Sequence, residues 1–162
     1  MRIVRSEAGF SLVEMMMVVA IIGLMTSAIV LYMPSKNDTL KDTLARTESA
    51  FIALSRHSVM TGRVYGARFS VQGFSPYVLS DDGWVLEEGL LKAEATNWQP
   101  VSLSALSVEG SDINLNEETV GPHVWFLPTS EATSFRLNMI ADTGAATLEM
   151  SGVGKIKVAF DG

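Results

Sequence analysis

Glu14 carries the most chemical consequence in this chain because of the apolar run beyond it. From Met15 to Met33 the sequence reads MMMVVAIIGLMTSAIVLYM, without a charge. A carboxylate at the edge of so apolar a stretch costs roughly a few kcal/mol in hydrocarbon unless a partner meets it. In a water-poor helix bundle an ion pair at such a position is strong and specifies register.

Three other groups invite chemistry, and each lacks the context it would need. Asp142-Thr143-Gly144 has the D-T-G of an aspartic protease, whose mechanism requires two carboxylates sharing a proton between lobes or subunits. Only 20 residues follow Asp142, too few for that architecture, so a hairpin turn is the better reading. Asp112-Ile113-Asn114-Leu115-Asn116-Glu117-Glu118 imitates the start of a calcium loop. Its sixth position is Glu117 where glycine is needed, and its twelfth is His123 where a bidentate glutamate is needed. The alternation there reads as an edge strand, with a weak calcium site as the minor alternative. His57 and His123 are the only histidines, and the chain has no cysteine. A zinc or nucleophile–base site therefore has little material, and the two are read as a helix-surface and a loop histidine. Neither metal nor cofactor is expected, and no side-chain constellation supports an enzyme.

The elements that must position these residues follow from pattern. Met15–Met33 as a helix is about 28 Å long, close to the hydrocarbon thickness of a bilayer. The run is longer than a secretory signal core and is followed by Pro34, without a small-x-small cleavage site. Arg2 and Arg5 precede it, whereas Lys36 and Lys41 are offset by Asp38 and Asp42 beyond it. The positive charge thus sets orientation only weakly, and the N-terminus is placed in the cytoplasm. Past Pro34, Leu40, Leu44, Phe51, Leu54 and Val59 recur at helical spacing up to Gly62, with a restart capped by Ser35 or Asp38 as one possibility. The first turns should be polar all round, and the stripe from Leu44 onward should pack on a domain.

From Arg63 the period changes to two. Candidate strands are 64–71, 75–80, 84–87, 101–108, 113–116, 124–127, 135–140, 146–150 and 155–160, separated by Gly- and Asp-rich turns. That pattern predicts an α+β fold, with a long N-terminal helix packed on antiparallel sheets in a β-sandwich-like domain. Trp125 lies between Val124 and Phe126 and cannot share their strand face; core burial is expected for it, as tryptophan is usually largely buried. In the first 34 residues Arg2 and Arg5 balance Glu7 and Glu14, so the whole net charge of −6 lies beyond Pro34. An acidic domain repels phosphate backbones, so nucleic acid is not an expected partner.

The order Gly9-Phe10-Ser11-Leu12-Val13-Glu14, ahead of the apolar run and behind a short leader with two arginines, resembles the start of type IV prepilins. The resemblance implies cleavage after Gly9 by a prepilin peptidase, N-methylation of the new terminus Phe10, and a filament-assembly role for Glu14 at the fifth mature position. Glu7 in the leader is a mild departure. The freed amine of Phe10 would stand one helical turn from Glu14, and a neighbour's amine could pair with that carboxylate in a filament.

Further along, Thr61-Gly62-Arg63-Val64-Tyr65-Gly66-Ala67-Arg68-Phe69, Gly83-Trp84, Val124-Trp125-Phe126-Leu127-Pro128-Thr129-Ser130, Phe135-Arg136-Leu137 and Ser151-Gly152-Val153-Gly154 resemble the H-type minor pseudopilins of type II secretion. The division implied is a leader at 1–9, a transmembrane and filament-core helix at 10–34, its amphipathic continuation at 35–62 and a periplasmic β-rich domain at 63–162. Such a protein would be a single-pass protein of the Gram-negative inner membrane, assembled at or near the tip of a periplasmic pseudopilus that supports export of folded proteins. Its implied partners are the other minor pseudopilins, the major pseudopilin and, as a further candidate, the secreted proteins. A minor pilin of a type IV pilus, linked to DNA uptake, is the alternative. That version should carry exposed basic clusters near the C-terminus, where only Lys155 and Lys157 occur.

Overall fold

The computed structural model describes residues 12–32, 36–117 and 119–161, with side chains of 26–38 left aside. Gly9, Phe10 and Pro34 lie outside the described residues. The chain divides into two compact units, Met1–Pro34 and Ser35–Gly162, each treated by itself.

The first unit contains helix α1 (Leu12–Tyr32). Every side chain described in it, 12–25, is exposed within this chain, from Leu12 at 75% to Leu24 at 73%. No face is favoured, because apolar residues occupy all sides of the helix. Among the described residues no helix is long and apolar enough to cross a membrane, the described side chains of α1 stopping at Met25. A span over 10–34 therefore rests on the sequence.

Among the described residues the second unit opens with α2 (Lys36–Thr61) and continues as nine strands: β1 (Tyr65–Ser70), β2 (Gly73–Ser80), β3 (Gly83–Leu86), β4 (Ser102–Val108), β5 (Ser111–Ile113), β6 (Val124–Phe126), β7 (Phe135–Ala141), β8 (Gly144–Met150) and β9 (Ile156–Asp161). A short helix, α3 (Ala93–Thr96), lies between β3 and β4. The strands form two sheets, β3-β2-β1-β6 and β5-β4-β7-β8-β9, antiparallel throughout. The α+β class and the paired antiparallel sheets are as expected.

One face of α2 is buried over five turns by Leu40, Thr43, Leu44, Thr47, Ala50, Phe51, Leu54 and Ser58. These positions follow the three-and-four spacing of a helix face. Three departures from the sequence reading stand out here. Burial begins at Leu40, a turn earlier than expected. Asp38 lies inside α2, so it does not cap it. Val59 is 47% exposed, and Ser58 takes the buried position expected of Val59. Ser58 follows Phe51 by seven residues and Leu54 by four, which keeps it on the stripe; Val59 lies a further 100° round. The Ser58 hydroxyl can sit there because its oxygen lies 2.7 Å from the Arg63 carbonyl oxygen and 2.9 Å from that of Phe126, and it donates to either. Thr47 is buried by the same device, its hydroxyl donating to the Thr43 carbonyl at 2.7 Å.

Phe51 is the centre of the core. Its ring meets Phe69, Phe74 and Phe126 from the first sheet and Phe135 from the second, at centroid separations of 5.1 to 6.0 Å. The sheets also meet directly, Phe69 to Phe135 at 5.5 Å. Alternation holds along β7 and β8, where Phe135, Leu137, Met139, Ala146, Leu148 and Met150 point inward. It breaks in β4, where a register shift between Leu103 and Ala105 puts Leu103 and Leu106 on the same face.

Trp98 reaches the core from the connection after α3, fully buried against Phe69 and Phe74. Trp125 does not. It is 46% exposed while its neighbours Val124 and Phe126 are at 0%, which overturns its expected burial. The strand places those two inward, so alternation sends Trp125 out, and no second layer covers it fully.

Candidate functional site

Glu14 occupies the first turn of α1, where a carboxylate complements the helix dipole, and it is exposed within this chain. Gly9 and Phe10, the residues expected to act with it, lie outside the described residues. On the face away from Glu14 the helix presents Leu12, Met15, Met16, Val19 and Ala20 as a shallow apolar surface. Chemically, such a surface can take lipid or the apolar face of another helix.

In the second unit, the outer face of the first sheet gathers Tyr77, Trp84 and Trp125, three aromatic residues that the core does not use. Across the strands, Trp125 of β6 stands opposite Gly66 of β1, Gly66 opposite Tyr77 of β2, and Tyr77 opposite Leu86 of β3. Gly66 is buried although it points outward, because Pro122 lies over it: an added Cβ would stand 2.5 Å from the Pro122 ring. Gly121, at φ +129, brings the same loop against the Trp84 indole. Arg68 fixes the loop, its Nε donating to the Gly121 carbonyl at 2.7 Å while its guanidinium lies 4.8 Å over the Tyr77 ring.

His123 ends that loop. Its main-chain N–H donates to the Ala67 carbonyl at 2.9 Å, extending the β1–β6 ladder by one bond. The next bond is made by its side chain: the Phe69 N–H donates to Nδ1 at 2.9 Å. The imidazole stacks on Phe69 at an interplanar angle of 3°, and Nε2 lies 3.3 Å from the Thr119 hydroxyl. An Nδ1 that accepts must be unprotonated, and burial, with the Arg68 charge second, holds the His123 pKa below its ordinary 6.5. Reading this residue only as a loop histidine missed the strand-ending bond. His57 is half-buried on α2 with its ring edge-to-face against Tyr65 at 5.2 Å.

The remaining candidates have structural roles. Asp142 and Thr143 form the two-residue turn joining β7 to β8, closed by the Ala141–Gly144 pair, with Gly144 at φ +148. The would-be calcium loop divides in two. Its start is β5, an edge strand at Ser111–Ile113, shifted two residues toward the N-terminus from the expected 113–116. The shift has a local cause: the Asn114 side chain accepts the Asn116 N–H at 3.1 Å, turning the chain out of the ladder. Glu118 lies outside the described residues. Among the described residues no group of three or more His, Cys, Asp or Glu side chains is arranged to hold a metal ion.

Residues 4–30 match the prokaryotic N-terminal methylation motif. Type II secretion system protein H of Klebsiella pneumoniae is 26% identical, over 86% of this chain and 90% of that protein. Two solved structures share the fold. The minor pseudopilin EpsH from the type II secretion system of Vibrio cholerae superposes with a TM-score of 0.62 at 15% identity, over 80% of this chain and all of that one. The solution structure of E. coli GspH superposes with a TM-score of 0.60 at 22% identity, over 76% of this chain and 89% of that one.

The chain is homologous to minor pseudopilin H. The homology holds in sequence and in fold, and the methylation motif accompanies it in the same chain. The two-sheet domain is thus similar to minor pseudopilin H of type II secretion, and the N-terminal segment matches the methylation motif, as the sequence reading expected.

Proposed function

We propose that this protein is a structural subunit of a type II secretion pseudopilus, placed at or near its tip, and that it acts by packing and not by catalysis. The observation that carries this reading is the conjunction of a methylation motif over residues 4–30 with a pseudopilin-H-like domain in one polypeptide. In this reading the leader 1–9 is removed by the prepilin peptidase between Gly9 and Phe10, and Phe10 is methylated. Residues 10–34 then hold the protein in the inner membrane with the domain in the periplasm. On extraction, α1 exchanges lipid for the helices of the major and other minor pseudopilins. All described side chains of α1 are unshielded within its own chain, which supports that exchange: the helix has apolar surface on every side for a new neighbour. Glu14 supplies register, since an unpaired carboxylate in that bundle is costly and a neighbour's Phe10 amine neutralises it.

The test is processing. In cells carrying the prepilin peptidase, an immunoblot should show the wild-type chain shortened and Gly9→Val at full length. A Gly9→Val chain shortened as wild type would remove the cleavage assignment, and with it the filament reading.

A further inference from the structure

The outer margin of the first sheet is an open strand edge. Among the described residues β3 pairs on one side only, with β2. The Glu87 N–H donates to the Pro76 carbonyl at 2.9 Å, which fixes the phase of that ladder. Counting back by two, Val85 bonds toward β2, and the main-chain groups of Trp84 and Leu86 face away from it. Natural edge strands are usually blunted by a lysine, a proline or a bulge. β3 has none of these: its residues are Gly83, Trp84, Val85 and Leu86. Val85 is 50% exposed and Leu86 46%, so apolar side chains flank the open main-chain groups on both faces.

The charge along β3 and its flanking residues has one sign. Segment 81–88 holds Asp81, Asp82, Glu87 and Glu88, two at each end of β3, and no cation. Asp81, Asp82 and Glu88 are exposed. An incoming strand that carried carboxylates would be repelled at both ends, whereas one with lysine or arginine beyond a short apolar centre would meet opposite charge at each end.

We propose that β3 is a docking edge for an extended polypeptide segment of a partner protein, with basic residues flanking a few apolar ones, which adds as a fifth strand to the first sheet. Main-chain bonds to Trp84 and Leu86 would supply the affinity, and the four carboxylates would select the charge. This inference stands apart from the pseudopilus reading, since it depends only on the domain.

The full chain in detergent micelles, isotopically labelled, is titrated with two synthetic peptides, Lys-Lys-Val-Thr-Val-Thr-Val-Lys-Lys and its counterpart with glutamate in place of lysine. The lysine peptide should shift the amide resonances of Trp84 and Leu86 and slow their hydrogen exchange. Its affinity should fall about tenfold when Asp81, Asp82, Glu87 and Glu88 are replaced by their amides, and should fall with added salt. Leu86→Pro removes an outward N–H without touching the β2 ladder, and it should abolish binding while the other resonances stay in place. Equal binding of the two peptides, shifts centred away from β3, or unchanged binding by a folded Leu86→Pro chain would each overturn the proposal. So would a concentration-dependent self-association that protects the same amides, which would give the edge to a second copy.

Discussion

The main-chain N–H of Phe69 donates to the side chain of His123, where a regular ladder would offer it a carbonyl. Protonating Nδ1 turns this acceptor into a donor, beside the Arg68 guanidinium. The folded-state pKa of His123 lies below the ordinary 6.5, chiefly through burial. The folded protein therefore binds fewer protons than the unfolded chain, and stability rises with pH across that window. The contribution is complete above 6.5 and is lost as pH falls below it through the depressed value. Melting temperature measured from pH 7.5 down to pH 5 should decline in the wild type more steeply than in His123→Asn, whose amide oxygen can accept the Phe69 N–H without titrating. Parallel curves would remove His123 from the pH dependence.

Ser58 is buried in the core beneath the Arg63 and Phe126 carbonyls. Ser58→Ala leaves those acceptors without its proton, at a cost of about 1–3 kcal/mol. Urea unfolding monitored by circular dichroism should show a lower midpoint, whereas Val59→Ala, at an exposed position one residue on, should leave it within about 0.5 kcal/mol.

Phe51 touches four other phenylalanines drawn from both sheets. Phe51→Ala should cost about 3–5 kcal/mol, the range for truncating a buried aromatic. Phe51→Leu should recover part of that loss. A variant that unfolds with the wild-type midpoint would mean that α2 is not held through this ring.

Gly73 begins β2 with its Cα against the Thr96 carbonyl, so an added Cβ would collide with main chain. Gly73→Ala should destabilise the domain by about 1–3 kcal/mol, since the α3 segment must shift to admit it. Gly83→Ala meets nothing within 4 Å and is opposed only by its φ of +114. Comparing the two unfolding midpoints separates collision from backbone strain.

Glu14→Leu should leave membrane insertion intact, because it removes a charge from an apolar helix. It should impair recovery of the subunit in sheared filaments. Glu14→Gln tests whether charge or hydrogen bonding matters. If both variants enter filaments at wild-type yield, Glu14 has no part in register.

Much of this fold was legible from spacing. All nine strands among the described residues fall within a few residues of where the period-two pattern put them, and the Asp142-Thr143 hairpin is a local property of four residues. What escaped prediction depends on groups distant in sequence. Ser58 looks like a solvent-facing position in the sequence; its burial depends on the Phe126 carbonyl, far along the chain, which can take its hydroxyl proton. Trp125 turned outward against expectation because the outer layer over a sheet leaves no pattern in the strand beneath it. His123 carried no local signal either, since its role is to complete a ladder begun at β1. For the N-terminal segment, the apolar length argues only for a membrane; the Gly-Phe-x-x-x-Glu order spoke through resemblance.

The order in which the strands arrive has a consequence for how the domain is made. Three strands go to the first sheet, two to the second, then β6 returns to the first before β7, β8 and β9 complete the second. Neither sheet is contiguous in the chain, so cutting the polypeptide between them leaves both incomplete. The pairing of β1 with β6 closes a loop of about sixty residues, and connections of that span slow the search for the native arrangement. While that search lasts, the Phe51 ring has no finished pocket, and the domain is sticky in the compartment where it folds.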